Sequence, residues 1–168
     1  MSVGTSLDHG RRNFLSGRKR KDTPLRPPWS LAEDSFLEAC TRCGDCLSAC
    51  PEGILISGSG GYPEISFTTG ECTFCRHCVE ACEQSAFDTG GLPWSAKAQI
   101  DESCIARQQV LCQLCRECCE ANAIRFPLTL GRVPTPVVVA EQCSGCGACV
   151  SACPVAAVRV VHRGDPSE

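Results

Sequence analysis

The chain is poor in the side chains that ordinarily fill a protein core. Of 168 residues 5% are aromatic, with two Trp, one Tyr and a single Met among the bulky groups. No stretch of about 80 residues carries enough bulk for a self-sufficient apolar core, so something else must hold the molecule together. Nor does any window approach the roughly 20 apolar residues of a membrane span. The body lacks a basic stripe with interleaved aromatics, which argues against nucleic acid. Histidine is scarce too, and the absence of any C-x-x-C-H run excludes c-type haem. There is no nucleophile and base constellation, phosphate loop or nucleotide fingerprint, so a non-enzyme is expected.

What the chain has instead is 17 cysteines. Such a content signals either a disulfide scaffold or a protein built around metal. Disulfides need an oxidising compartment, which makes the N-terminus informative. "GRRNFLSG" at 10 to 17 resembles the twin-arginine export motif, but no apolar run follows it. Arg18, Lys19, Arg20 and Lys21 stand where that run belongs, and Pro24, Pro27 and Pro28 prevent a helix. The expectation is a cytoplasmic protein with reduced thiols.

Charge is unevenly spread. The whole chain sums to −3, yet residues 1 to 29 hold seven Lys/Arg against Asp8 and Asp22 and are +5, leaving −8 for the remainder. A basic arm thus precedes an acidic body, read either as a solvated tail or as a docking arm for an acidic partner.

The cysteines repeat. "CTRCGDCLSACP" from 40, "CTFCRHCVEACE" from 72 and "CSGCGACVSACP" from 143 share the spacing C-x2-C-x2-C-x3-C. Each copy has Ala before its fourth cysteine (Ala49, Ala81, Ala152) and apolar residues four and five positions after it: Ile54 and Leu55, Ala86 and Phe87, Ala157 and Val158. The runs "EISFTT" at 64 to 69, "VVVAEQ" at 137 to 142, "ILIS" at 54 to 57 and "VRVV" at 158 to 161 read as strands. Each module is then a strand, a cysteine loop, a helical turn and a return strand, too small to fold alone and expected to pack in pairs. "TGGLPWSAKA" at 89 to 98 is the best boundary between pairs.

This spacing points to iron and sulfur. A [4Fe-4S] cubane takes a thiolate at each of four irons; two-residue intervals bring three sulfurs to one cube, and the fourth cysteine serves the neighbouring cluster in two-cluster ferredoxins. The expected ligands are Cys40, Cys43, Cys46, Cys50, Cys72, Cys75, Cys78, Cys82, Cys143, Cys146, Cys149 and Cys153. Gly44, Gly145 and Gly147 are read as letting the backbone approach the clusters. Zinc is the alternative, but its four-cysteine sites usually consist of two pairs separated by a longer loop. His77, between Cys75 and Cys78, is read as exposed.

A fourth run, "CIARQQVLCQLCRECCEA" from 104 to 121, is irregular. Ala123 and Ile124 follow Cys119 as Ala157 and Val158 follow Cys153, which makes Cys119, Cys115 and Cys112 the fourth, third and second cysteines of a module. Gln109 stands where the first belongs, and Cys104, five residues earlier, is the candidate to replace it. Cys118 takes the alanine position and is read as a small buried residue rather than half of a vicinal disulfide. Three [4Fe-4S] clusters are expected from the regular runs and a fourth from this one.

The three regular motifs resemble the 4Fe-4S dicluster ferredoxins. "RRNFLSGRKRK", "LRPPWS", "FLEACTRCGDCLSAC" and "GSGGYPEISF", in this order, resemble more closely the NapF family, ferredoxin-type accessory proteins of the periplasmic nitrate reductase system. The resemblance implies an α+β fold of two tandem ferredoxin-like halves, each of two modules around 4Fe-4S clusters, behind a disordered basic arm. The expected divisions are an arm over 1–33, halves over 34–90 and 101–163, a linker over 91–100 and a tail over 164–168. It also implies a cytoplasmic partner, the catalytic subunit NapA before export, whose maturation it supports by electron transfer. An electron-transfer subunit of a membrane-associated oxidoreductase is the alternative.

Overall fold

The computed structural model describes residues 24–162. The twin-arginine-like run, most of the basic arm and the tail therefore lie outside the described residues.

In the C-terminal part the chain runs strand, turn, strand, then repeats itself in reverse sense. β3 (Lys97–Ile100) pairs antiparallel with β6 (Val158–Val161), Lys97 opposite Val161 and Ile100 opposite Val158. Between them β4 (Ile124–Arg125) pairs with β5 (Val137–Val138), Ile124 opposite Val138. The short helices α4 (Leu114–Glu117) and α5 (Ala148–Ser151) pack against each other. The chain thus closes on itself, first strand to last, with the cysteine loops inside.

The N-terminal part has the same plan with weaker edges. Helix α1 (Glu33–Ala39) leads into the first cysteine loop, and α2 (Asp45–Ala49) packs against α3 (His77–Glu80). β1 (Leu55–Ser57) and β2 (Pro63–Ile65) form a hairpin through the 3-10 turn Ser59–Gly61. Where the C-terminal part has the β3 and β6 pair, this part has one bridge, Ser30 opposite Phe87, flanked by Leu31 N–H to Ala86 O at 3.0 Å and Asp88 N–H to Trp29 O at 2.8 Å.

Two of the expected divisions are corrected by these pairings. Residues 24–33, assigned to the arm, are packed: Pro27 is fully buried and Arg26 and Trp29 nearly so. Proline at 27 and 28 removes N–H donors, so the segment pairs through Trp29, Ser30 and Leu31. Residues 97–100, assigned to the linker, form β3, and Ala96 before them is fully buried. The runs from 64 and from 137 are strands for only two residues each before the chain bends toward its cysteines.

Burial explains the repeated flanks. Ile54, Leu55, Ala86, Ala123, Ile124, Ala157 and Val158 are all buried. These positions four and five after each fourth cysteine seat every return strand. The core is correspondingly made of small groups: Ala98, Ile124, Cys149 and Val158 form one cluster, against which Cys115, Cys118, Cys119, Cys143 and Cys153 pack.

Arg26 fastens the N-terminal segment. Its guanidinium donates to both oxygens of Glu33 at 3.0 and 2.7 Å and to Pro63 O at 3.0 Å, and lies 5.6 Å from the ring centres of Phe36 and Tyr62. Tyr62 donates in turn to Leu37 O at 3.2 Å.

Candidate metal centres

Each regular loop bends through two left-handed residues. Counting modules in chain order, so that the irregular run is the third, they are Arg42 and Gly44 in the first, Phe74 and Arg76 in the second, and Gly145 and Gly147 in the fourth, from Cys143. A left-handed residue on either side of the second cysteine turns the loop inward, so that its sulfurs face one point. The helical turn that follows carries the third cysteine.

In the N-terminal part this gathers the thiols into two cages. A small cavity of about 20 Å³ is bordered by Cys40, Cys43, Cys46 and Cys82. A second, also of about 20 Å³, is bordered by Cys50, Cys72, Cys75 and Cys78, with Trp29 and Phe74 in its wall. The fourth cysteine of each motif thus stands in the other motif's cage, because α2 and α3 pack side by side and hand their final cysteines across. Burial raises the Cys46 thiol to about 11, with Cys40, Cys78, Cys43 and Cys82 adding to the effect. Cys72 and Cys78 are likewise lifted by burial to about 11, and both sense Cys50. Such shifts arise when thiols are drawn from water and crowded together.

The C-terminal part contains corresponding groupings. Burial pushes Cys115 up to about 12, and Cys104, Cys118, Cys112 and Cys153 raise it further. Cys104 reaches Cys115 because residues 104–109 close a tight turn, with Arg107 N–H on Cys104 O at 2.9 Å and Ala106 fully buried. Gln109 faces elsewhere: its side-chain oxygen accepts the Val133 N–H at 3.3 Å. The turn therefore brings Cys104 into the group of thiols around Cys115.

Cys149 is raised by burial and then by Cys118, Cys143, Cys146 and Cys115. Hydrogen bonding assigns the vicinal pair differently from these charges. Ala123 N–H donates to Cys119 Sγ at 3.3 Å, and Ala157 N–H donates to Cys153 Sγ at 3.3 Å, so Cys119 and Cys153 are equivalent by register. Cys118 donates to Cys115 O at 3.5 Å within its helical turn. Register is the firmer guide to ligand position, because it fixes the backbone from which each sulfur projects.

Thiol-rich cages of this kind fit a polynuclear iron site. Further N–H groups point at sulfur, from Phe74 to Cys72 and from Ala98 to Cys143, each at 3.4 Å; such donors help set cluster potentials. Among the described residues no three His, Cys, Asp or Glu side chains close on a single ion. His77 is exposed at the start of α3. The glycines need a different account from the one their sequence invites. A Cβ on Gly147 would stand 2.1 Å from the Phe67 ring, and one on Gly145 2.4 Å from Ala96 O, whereas Gly44 has open space. Gly147 makes room for Phe67 of the N-terminal part, and Gly145 for Ala96 O just ahead of β3 in its own part.

Comparison with known proteins agrees with the cages. A family model described as a 4Fe-4S dicluster domain matches residues 35–83, and one described as a 4Fe-4S binding domain matches 136–159. The ferredoxin-type protein NapF of Escherichia coli K12 is 43% identical over 154 residues, covering 90% of this chain and 94% of that protein. NapF of Haemophilus influenzae is 46% identical over 160 residues, covering 88% and 91%. The chain belongs to the NapF family of ferredoxin-type proteins. More distantly, the methylamine utilization ferredoxin-type protein MauM of Methylorubrum extorquens is 34% identical over 170 residues, covering 88% of this chain and 77% of that protein. As a NapF-type ferredoxin the chain is an iron-sulfur protein of the 4Fe-4S class. Among the described residues no helix is long and apolar enough to cross a membrane.

Proposed function

We propose that this NapF-family chain holds four [4Fe-4S] clusters in two tandem halves and serves, in the cytoplasm, as a redox accessory protein for NapA before export. The halves comprise residues 24–90 and 95–162. The first cluster is bound by Cys40, Cys43, Cys46 and Cys82, and the second by Cys72, Cys75, Cys78 and Cys50. The third takes Cys104, Cys112, Cys115 and Cys153, and the fourth Cys143, Cys146, Cys149 and Cys119. Bound clusters supply one-electron transfer. The protein's part is to shield the thiolates, aim N–H groups at their sulfurs and fix the spacing between sites; substrate chemistry belongs to the partner.

The observation that carries this reading is the exchange of fourth cysteines between the two N-terminal cages. That arrangement belongs to two-cluster ferredoxins, and a chain with such a plan has little to do with its thiols except carry clusters. The partner rests on family membership together with the basic N-terminal arm.

Anaerobic reconstitution tests the sites. At about four irons per cubane the chain should take up roughly sixteen, falling by about four on Cys104→Ser, with Cys118→Ser silent. Loss on Cys118→Ser and retention on Cys104→Ser would overturn the assignment. The partner is tested by co-elution of the loaded protein with NapA precursor, weakened by deletion of residues 1–23 alone, since residues 24–29 are part of the fold. Normal maturation of NapA made without this protein, alongside cluster oxidation during nitrate turnover, would favour a direct electron-transfer subunit instead.

A further inference from the structure

Cys72 and Cys146 belong to different halves and to different proposed clusters, yet their backbones touch. The Cys72 N–H donates to Cys146 O at 2.7 Å. Around this bond the fit is tight. Trp94 Nε1 donates to Ser144 O at 2.8 Å, Phe67 lies on Gly147, and Ala96 O and Trp94 crowd Gly145. Phe67 and Phe74 each meet the Trp94 ring edge-on, with centres 6.3 and 5.6 Å apart. Phe74 also donates its N–H to Cys72 Sγ. One aromatic block therefore walls the second site and bears on the loop of the fourth.

The glycines show that closeness is what this loop is built for. Arg42, Phe74 and Arg76 adopt left-handed φ of 62°, 55° and 68° with full side chains. Gly145 and Gly147, at φ of 78° and 88°, are thus not required by the bend. Gly147 is required because a side chain there would drive Phe67, and with it the first half, away from the point where Cys146 meets Cys72, while Gly145 lets the same loop close on Ala96 O and Trp94.

Resting on the four-cluster reading above, we infer that this junction is the electron bridge between the halves. The path runs from Cys72 Sγ through Cβ, Cα and N–H across the hydrogen bond to the carbonyl of Cys146, then through its Cα and Cβ to Sγ. One electron leaves the site of Cys50, Cys72, Cys75 and Cys78, which is oxidised by one unit, and enters the site of Cys146, which is reduced by one unit. No bond breaks and no proton moves. The relay order is then first, second, fourth, third, with entry and exit at the two end sites.

The test uses the full chain loaded anaerobically, with iron counted first. A low count refutes the four-cluster reading; a full count leaves the bridge to be judged by itself. A single electron is delivered by a flash-excited deazaflavin, and its spread over the clusters is followed by rapid-freeze electron paramagnetic resonance. A Cβ at 147 would stand 2.1 Å from the Phe67 ring and must open the junction, so Gly147→Ala is expected to slow equilibration between halves severalfold. Exchange within each half should keep its wild-type rate, and the paired change Gly147→Ala with Phe67→Ala should restore transfer. Trp94→Phe, which lacks the hydrogen bond to Ser144, keeps the test open should Gly147→Ala fail to load, and is expected to slow the same step. Equilibration between halves at the wild-type rate in each loaded variant, or none in the wild type, overturns the bridge.

Discussion

Replacing Arg26 by Met tests whether the N-terminal segment is part of the first half or only rests on it. The guanidinium is 8% exposed and binds Glu33 through two hydrogen bonds, while Glu33 itself is 34% exposed. Once freed, that carboxylate can rehydrate, so losing the pair costs about 1 kcal/mol rather than the larger penalty of a fully buried pair. Pro63 O loses a donor in a buried setting, a further 1 to 2 kcal/mol or so. The contacts with Phe36 and Tyr62 are worth roughly 0.5 to 1 kcal/mol each, and the Met thioether recovers part of them. The net loss is about 3 kcal/mol. With a urea slope of about 2 kcal/mol/M, the unfolding midpoint of the loaded protein should fall by about 1.5 M, read anaerobically by circular dichroism and by bleaching of the iron-sulfur absorption. Arg26→Lys keeps the charge without the fork and should recover less than half of this. A midpoint for Arg26→Met within about 0.25 M of wild type would refute the reasoning, because the segment would then contribute no stability through Arg26.

Cys82→Ser should damage the cluster of the first motif, and Cys50→Ser that of the second, with difference Mössbauer or paramagnetic resonance spectra of the two variants exchanged relative to their order in the chain. Gly44→Ala meets open space and should cost only the left-handed penalty of about 1 to 2 kcal/mol, whereas Gly145→Ala adds overpacking of roughly 1 to 3 kcal/mol against Ala96 O; equal urea midpoints would contradict the difference. Tyr62→Phe removes the bond to Leu37 O and should cost about 1 kcal/mol without changing iron content. Burial, the leading cause at each, raises the thiols of Cys46, Cys72 and Cys78 from 9.0 to about 11, so folded metal-free chain holds more protons than unfolded chain between those values. Its stability should be fully present below pH 9 and fall as pH climbs from 9 to 11, measured by urea midpoints in chelator; a midpoint independent of pH across that window would count against it.

The thiol groupings of the N-terminal part were legible because their cysteines are local: two-residue intervals place three thiols on one loop, and the alanine and apolar flanks mark the seat of the return strand. In the irregular run the equivalence of Cys119 and Cys153 was legible by the same register, counted back from the buried Ala123 and Ile124. The outer edges were not. Residues 24–31 read as a proline-rich arm because Pro27 and Pro28 cannot donate to a ladder, yet Trp29 and Leu31 just after them still bond Asp88 and Ala86. Lys97–Ile100 read as linker because Ala96 and Ala98 carry little hydrophobic signal, although small size is what lets Ala98 pack against Cys149 and Cys143. Glycine was misleading in the fourth loop for a related reason: its sequence signal reports a close approach without saying which body approaches.

The scarcity of bulky side chains acquires a definite meaning in the structure. Both Trp residues, with Phe67 and Phe74, form one run of edge-on contacts that starts at Trp29 and ends at Phe67 upon Gly147. They sit where the halves meet, while the first half keeps Phe36 edge-on to Phe87 and the core of the second packs alanine, isoleucine and valine around sulfur. A core of that kind is completed by what the thiols bind, because metal binding free energy is also folding free energy. A junction of rigid aromatic rings instead keeps its shape through contacts of its own. The two devices divide the work: the cages gain their order from the clusters, while the aromatic block fixes the separation between cages, the quantity on which electron transfer depends. A change at Gly147 should therefore alter communication between sites that remain filled, and a change at Cys104 should empty a site while the junction between Cys72 and Cys146 stays closed.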